Sequence, residues 1–161
     1  MPRIEDLLAS LDGNKFFTTF DLNSGFYNIE VDDESKEKTA FSCFKGLYEY
    51  NRVPMGLSNS PAIMQRFANT IVKKVNGDYI MAYIDGIIVK SKTWEEHVVH
   101  LTAVFEVLAE MGLKLKATKT RMGQKKVIFL GFQVSETGIE VDPSKTDHIQ
   151  FLFQIPEIQG K

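Results

Sequence analysis

The tightest constraint in this 161-residue chain is local: Asp85-Gly86 stands between two apolar runs, residues 78–84 and 87–90. Asp-Gly flanked by strand-forming residues is among the strongest short signals for a β-hairpin, because glycine accepts a positive φ and aspartate tolerates one. Any fold this chain adopts must therefore hold two adjacent antiparallel strands with an acid at their tip. Thr93 and Glu96 follow at capping-box spacing, and Val98, Leu101, Phe105 and Leu108 recur on one helical face up to Gly112, a C-terminal stop. The hairpin is expected to run directly into a long helix.

Upstream, Ile4, Leu7, Leu8 and Leu11 mark a short amphipathic helix, with Pro2 suited to a first helical position. Residues 16–22 read as a strand with Phe17, Thr19 and Asp21 on one face and Phe16, Thr18 and Phe20 on the other. Residues 38–44 and 47–51 form a second extended pair around Lys45-Gly46. Ser58, Asn59 or Ser60 can cap a helix whose first position is Pro61 and which buries Ile63, Met64, Phe67 and Ile71. Beyond Gly112, residues 127–132 and 133–141 read as strands, and Asp142-Pro143 opens a last helical stretch to about Leu152. Helices and strands alternate irregularly, without a repeated βαβ unit. The expected class is α+β, a mostly antiparallel sheet packed on two helices. No internal repeat or linker divides the chain, so a single domain over 1–161 is expected.

Composition narrows the function. At 43% hydrophobic and 25% charged, a chain of this length can build a core without a disulfide or metal staple, and Cys43 has no second cysteine to pair with. The longest apolar run, 79–84, falls far short of the ~20 residues that span a bilayer, so no membrane span is expected. No targeting segment is expected at the start either. A net charge of −2 is not the basic footprint of an autonomous nucleic-acid binder. The distribution is uneven, however: six Lys or Arg and no acid between Lys114 and Lys126, against five acids and one lysine between Glu30 and Glu37. Alone, the basic run reads as a solvated edge strand whose lysines discourage pairing with other chains.

Asp21 and Asp85 each lie where a strand ends, and one sheet edge could hold both. Carboxylates brought together repel each other unless a cation is present, which is what a magnesium site for phosphoryl transfer exploits. Asp85 also has a purely conformational reading, as half of an Asp-Gly turn.

Four segments occur in order: Phe20-Asp21-Leu22-Asn23-Ser24-Gly25-Phe26-Tyr27, Val53-Pro54-Met55-Gly56-Leu57-Ser58-Asn59-Ser60-Pro61-Ala62, Tyr83-Ile84-Asp85-Gly86 and Phe129-Leu130-Gly131-Phe132. Together they closely resemble the reverse transcriptase of gypsy-type LTR retrotransposons and the related retroviral polymerases, over roughly residues 3–156. The resemblance implies a reverse-transcriptase-like palm with part of the fingers, and no thumb or RNase H domain, from a retroelement polyprotein. It implies RNA-directed DNA polymerisation, a two-metal nucleotidyl transfer to a primer 3′-hydroxyl, with Mg2+ as cofactor and Mn2+ as its substitute. The implied partners are a primed RNA or DNA template and deoxynucleoside triphosphates. By the same resemblance Asp21 and Asp85 are the catalytic metal ligands, with the Leu22 carbonyl nearby. Phe26 packs against the sugar of the incoming nucleotide, Met55 and Gly56 approach nucleotide and template, Lys119 lies near the leaving pyrophosphate, and Leu130 and Gly131 grip the primer terminus. Plain structural roles stand beside these: core packing for Phe26, a helix-entry turn for Met55 and Gly56, a solvated surface for Lys119. Cytoplasmic particles are the implied location, and the oligomeric state is left open.

At one position the chain departs from that family. The family's hairpin reads aromatic, variable, Asp, Asp, and here Gly86 replaces the second acid. Removing one charge from a site for two divalent cations implies severely impaired or absent polymerisation with Mg2+ and a trace with Mn2+. Gly86 is also expected to relax a tight turn, gaining stability where catalysis is lost. The alternative function is a catalytically dead or domesticated reverse-transcriptase-like domain that binds nucleic acid or protein.

Overall fold

The computed structural model describes residues 2–145. In chain order its elements are α1 (Ile4–Ala9), β1 (Phe16–Asp21), α2 (Asp33–Lys36), β2 (Phe41–Cys43), β3 (Gly46–Tyr48), α3 (Ser60–Val75), β4 (Ile80–Tyr83), β5 (Gly86–Ser91), α4 (Trp94–Glu110), β6 (Arg121–Gln124), β7 (Lys126–Phe129), β8 (Phe132–Ser135) and β9 (Gly138–Val141). Short 3-10 turns occupy Gly25–Asn28, Glu37–Thr39 and Ala117–Lys119.

The aromatic and β-branched residues of β1 are buried on both faces from Phe17 to Phe20, so the strand needs a layer on each side. Phe20 packs with Ile87 and Val89 of β5 against Met64, Ala68 and Ile71 of α3 and Leu101, Val104 and Leu108 of α4. Phe17 points the other way, with Ile88, onto Leu8 and Leu11 near α1 and onto Val127, Phe129 and Val134 of the β7–β8 hairpin. Each such buried aliphatic or aromatic side chain stabilises the fold by about 1.5–3 kcal/mol relative to exposure. The central sheet runs β4-β5-β1-β6, antiparallel at every pair, while β2-β3 and β7-β8-β9 form two smaller antiparallel sheets. The expected α+β class, with an antiparallel sheet on two long helices, is therefore found. No helix among the described residues is long and apolar enough to cross a membrane.

Several local expectations shift. The inward face of α4 carries His97, Leu101, Val104 and Leu108, whereas Val98 is 47% exposed. A polar residue takes the inward position because both its ring nitrogens are satisfied there: His97 Nε2 lies 2.8 Å from Thr18 Oγ1 and Nδ1 lies 2.8 Å from Ser91 Oγ. The Thr93–Glu96 capping box forms as read. α3 starts at Ser60 with Pro61 in its first turn, and Ser60 Oγ donates to the Pro54 carbonyl instead of capping the helix. Its inward face includes Gln65 and Ala68, with Ile63 and Phe67 half-buried. The single strand expected over 133–141 is two, β8 and β9, folded back at Glu136-Thr137. The basic run contributes β6, which pairs with β1 at the edge of the central sheet. The last helical stretch, expected to about Leu152, lies outside the described residues beyond 145.

Candidate active site

β1 and β5 are in register so that Asp21 lies opposite Gly86, and the ladder continues one step further, with Leu22 N–H donating to the Asp85 carbonyl at 3.1 Å. Asp21 and Asp85 therefore stand at the same end of the central sheet. β4 and β5 are joined by two residues, Ile84 and Asp85, because Tyr83 pairs with Gly86. The turn lies one residue earlier than the Asp85-Gly86 expected, and its positive φ, +55°, falls on Ile84. A β-branched residue in that left-handed region costs roughly 1–2 kcal/mol, so something outside the turn must hold it.

Gln65 does so. It is 3% exposed, its Oε1 accepts from Ile84 N–H at 2.9 Å, and its Nε2 donates to the Ala82 carbonyl at 3.1 Å and to Asn69 Oδ1 at 2.9 Å. Sequence reasoning missed this positioning residue. Nothing in the sequence sets it apart, because it lies off the face that the apolar spacing of Ile63, Met64, Phe67 and Ile71 picks out.

Gly86 has no positive φ. A Cβ built there would sit 3.6 Å from the Tyr83 carbonyl oxygen and 3.7 Å from a Phe129 ring carbon, ordinary contact distances. The expectation that this glycine relaxes the turn is corrected: it lies beyond the turn, as the first residue of β5, where neither dihedral angle nor space excludes a side chain.

The 3-10 turn Ala117–Lys119 brings Lys119 to Asp21, Nζ to Oδ2 at 2.9 Å. Main-chain bonds tie the residues just before that turn to the end of β1 and the residues after it: Lys116 N–H donates to the Asp21 carbonyl at 2.9 Å, and Asn23 N–H donates to the Lys114 carbonyl at 2.7 Å. The hydrogen bond and charge of Asp21 hold the Lys119 ammonium above the usual lysine range, and Asp85 adds a smaller push in the same direction. A cleft of about 550 Å3 opens beside the pair, lined by Asp21, Lys119, Arg121, Lys126, Phe129 and Leu130 among others. The basic run thus lines a concave surface as well as a sheet edge.

Leu130 and Gly131 form the two-residue turn of β7–β8, both at positive φ, +53° and +80°. Phe26 sits in the Gly25–Asn28 turn, packed half-buried against the helix-side core. Met55, 65% exposed, and Gly56, at φ +94°, belong to the loop before α3 and are not among the residues lining the cleft. The structure therefore brings Asp21, Leu22 and Asp85 to one sheet end with Lys119 on Asp21 and sets Leu130 along the cleft, while Leu22, Phe26, Met55, Gly56, Asp85 and Gly131 are not among the residues that line it. Among the described residues no group of three or more His, Cys, Asp or Glu converges. Two carboxylates at a solvent-open sheet end suit a hard divalent cation whose remaining positions are filled by water or substrate oxygens.

Residues 1–134 match the family model described as reverse transcriptase (RNA-dependent DNA polymerase). The chain is 40% identical over 149 residues to the retrovirus-related Pol polyprotein from transposon 297 of Drosophila melanogaster, across 92% of this chain and 14% of that polyprotein. It is 38% identical over 150 residues to the corresponding polyprotein from transposon gypsy of the same fly, across 93% and 14%. A solved foamy viral protease-reverse transcriptase in complex with an RNA/DNA hybrid is similar to it with a TM-score of 0.82 and 30% identity, over 92% of this chain and 20% of that one. The chain spans about one seventh of the length of the two polyproteins.

Proposed function

The chain belongs to the reverse transcriptase (RNA-dependent DNA polymerase) family, and from that premise we propose that it is the palm and part of the fingers of a retroelement RNA-directed DNA polymerase. The observation that carries this reading is the register of β1 against β5, which puts Asp21 and Asp85 at one sheet end beside a basic cleft. Asp21, Asp85 and the Leu22 carbonyl would hold Mg2+, or Mn2+ in its place. A divalent ion bound there would supply charge neutralisation for an incoming triphosphate and its leaving pyrophosphate.

The chain's own residues have the remaining tasks. Lys119, Arg121 and Lys126 give the cleft the positive charge that phosphates require, whatever the base sequence. Leu130 and Gly131 would hold a primer terminus against that cleft, Phe26 would pack on the sugar of a deoxynucleoside triphosphate, and Met55 and Gly56 would approach nucleotide and template. The partners on this reading are a primed RNA or DNA template and deoxynucleoside triphosphates, in cytoplasmic particles. With Gly86 in place of an acid, the site lacks one carboxylate, and polymerisation with Mg2+ would be severely impaired.

Gly86 also favours a second reading, a catalytically dead domain that retains nucleic-acid or protein binding. Primer extension on a primed RNA template separates the two, comparing the chain with Gly86→Asp in Mg2+ and in Mn2+, with Asp21→Asn as the blank. Extension by the variant and none, or a trace in Mn2+, by the parent is the expected result. Salt-sensitive binding of the primed template without extension by either protein would favour the second reading.

A further inference from the structure

We propose that Lys119 is a built-in competitor for the cation site: its ammonium occupies the Asp21 carboxylate in the ion-free protein, and a divalent cation gains full use of Asp21 only by displacing it. This rests on the reading of Asp21 and Asp85 as the cation site.

The first support is geometric. Nζ lies 2.9 Å from Asp21 Oδ2, the position of a charge-assisted hydrogen bond, so a cation bound to that oxygen and the ammonium exclude each other. The second is how the lysine is delivered. Its segment is fastened to the main chain at Asp21 and just beyond it, through Lys116 N–H to the Asp21 carbonyl and Asn23 N–H to the Lys114 carbonyl. Lys119 is therefore tethered next to its partner at a high effective concentration. The third is accessibility: the lysine side chain is 57% exposed and that of Asp21 28%, so the exchange requires one side chain to swing into water and no unfolding.

Gly86 sharpens the effect. The site has two carboxylates, and Lys119 ties up one of them; with an acid at 86 it would tie up one of three. The competition is reciprocal by linkage: whatever affinity the lysine takes from the cation, a bound cation takes from the ion pair. A cation that enters releases the ammonium beside the same cleft, where Arg121 and Lys126 already stand.

Two measurements on the full chain test this. Mn2+ binding is followed at fixed pH by the electron paramagnetic resonance of the free ion, in about 0.15 M and about 1 M KCl, where screening shortens from about 8 to about 3 Å. Lys119→Met is expected to tighten binding about fivefold at the lower salt concentration, the upper range for an exposed ion pair, and to keep part of that gain at the higher one, because the contact distance is no longer than the screening length there. Lys126→Met, which removes a cation lining the same cleft, is expected to tighten it by less, and only at low salt. Asp21→Asn should abolish the site. If Asp21→Asn abolishes binding while Lys119→Met binds as the parent does, or no tighter than Lys126→Met, the competition is overturned and the cation site stands. If Asp21→Asn binds as tightly as the parent, the cation-site reading falls and takes the competition with it. The second measurement needs no lysine variant: acetic anhydride labelling of Lys119, read by mass spectrometry. Labelling of the parent should accelerate when Mn2+ is added at a concentration that the first measurement shows to fill the site, and should already be fast in Asp21→Asn. A rate indifferent to Mn2+ at that concentration overturns the proposal.

Discussion

The turn between β4 and β5 and the turn between β7 and β8 each close a hairpin with two residues, and each puts a bulky side chain at positive φ, Ile84 at +55° and Leu130 at +53°. Both flank the same end of the molecule, and both have a glycine close by. At β7–β8 the glycine is the second turn residue, Gly131 at φ +80°, where any Cβ is strained and would also press on the end of the Lys145 side chain. At β4–β5 the second turn residue is Asp85, and Gly86 lies past it in a paired strand with room for a side chain. One turn meets half of its left-handed backbone demand with a glycine of its own; the other holds no glycine and is held from outside, by Gln65. A glycine beside a turn is therefore not evidence that the turn needs it. Gly86 stands where the strand has room for a side chain, while Gly131 meets a backbone demand.

The largest test of this contrast is Gln65→Leu. It leaves the Ile84 N–H and the Ala82 carbonyl without their partner, at about 1–3 kcal/mol for each group that stays buried. We expect chemical denaturation to show a loss of roughly 2–4 kcal/mol; a loss under about 1 kcal/mol would mean that the turn holds itself. Next in size is Gly131→Ala, expected to cost about 1–2 kcal/mol for the left-handed backbone alone. Gly86→Ala should be neutral or stabilising by up to about 1 kcal/mol, since a strand glycine is replaced where space allows. Equal losses at the two glycines would abolish the distinction between the turns.

The smallest expected effect comes from mild acidification and concerns the sheet that carries the first turn. Burial, with a lesser contribution from His100, holds the His97 imidazole below its ordinary value of 6.5, so the unfolded chain takes up that proton first. The stability His97 contributes is thus fully present above about pH 6.5 and is lost as pH falls from there toward the depressed folded-state value. The urea midpoint should drop between about pH 7.5 and about pH 6. His97→Gln should flatten that dependence, and an unchanged slope in the variant would assign it to other groups.

Residues that signal to near neighbours were legible. The Thr93–Glu96 capping box needs only one turn of helix, and it forms as read. The existence of the β4–β5 hairpin and of β1 was equally plain, because β1 is a run of aromatic and β-branched residues, Phe16, Phe17, Thr18, Thr19 and Phe20. Where the reading slipped, a partner from elsewhere in the chain had intervened. The hairpin turn moved one residue because the register of β4 against β5 and the grip of Gln65 outweigh the preference of Asp-Gly. The face of α4 rotated toward His97 because Thr18 and Ser91 were waiting for it. Gln65 itself looked like any polar residue on a helix.

By itself, then, the sequence determined the element types, the α+β class and the order of the four segments that carry the family resemblance, since these follow from propensity, periodicity and motif spacing along the chain. Only the tertiary structure decided that Gly86 is free of any turn requirement, that Gln65 supports Ile84, and that Lys119 closes on Asp21. Hydrogen bonds and ion pairs between distant residues form only after hydrophobic burial has set the strands in register, and that register is a property of the packed layers rather than of any one segment.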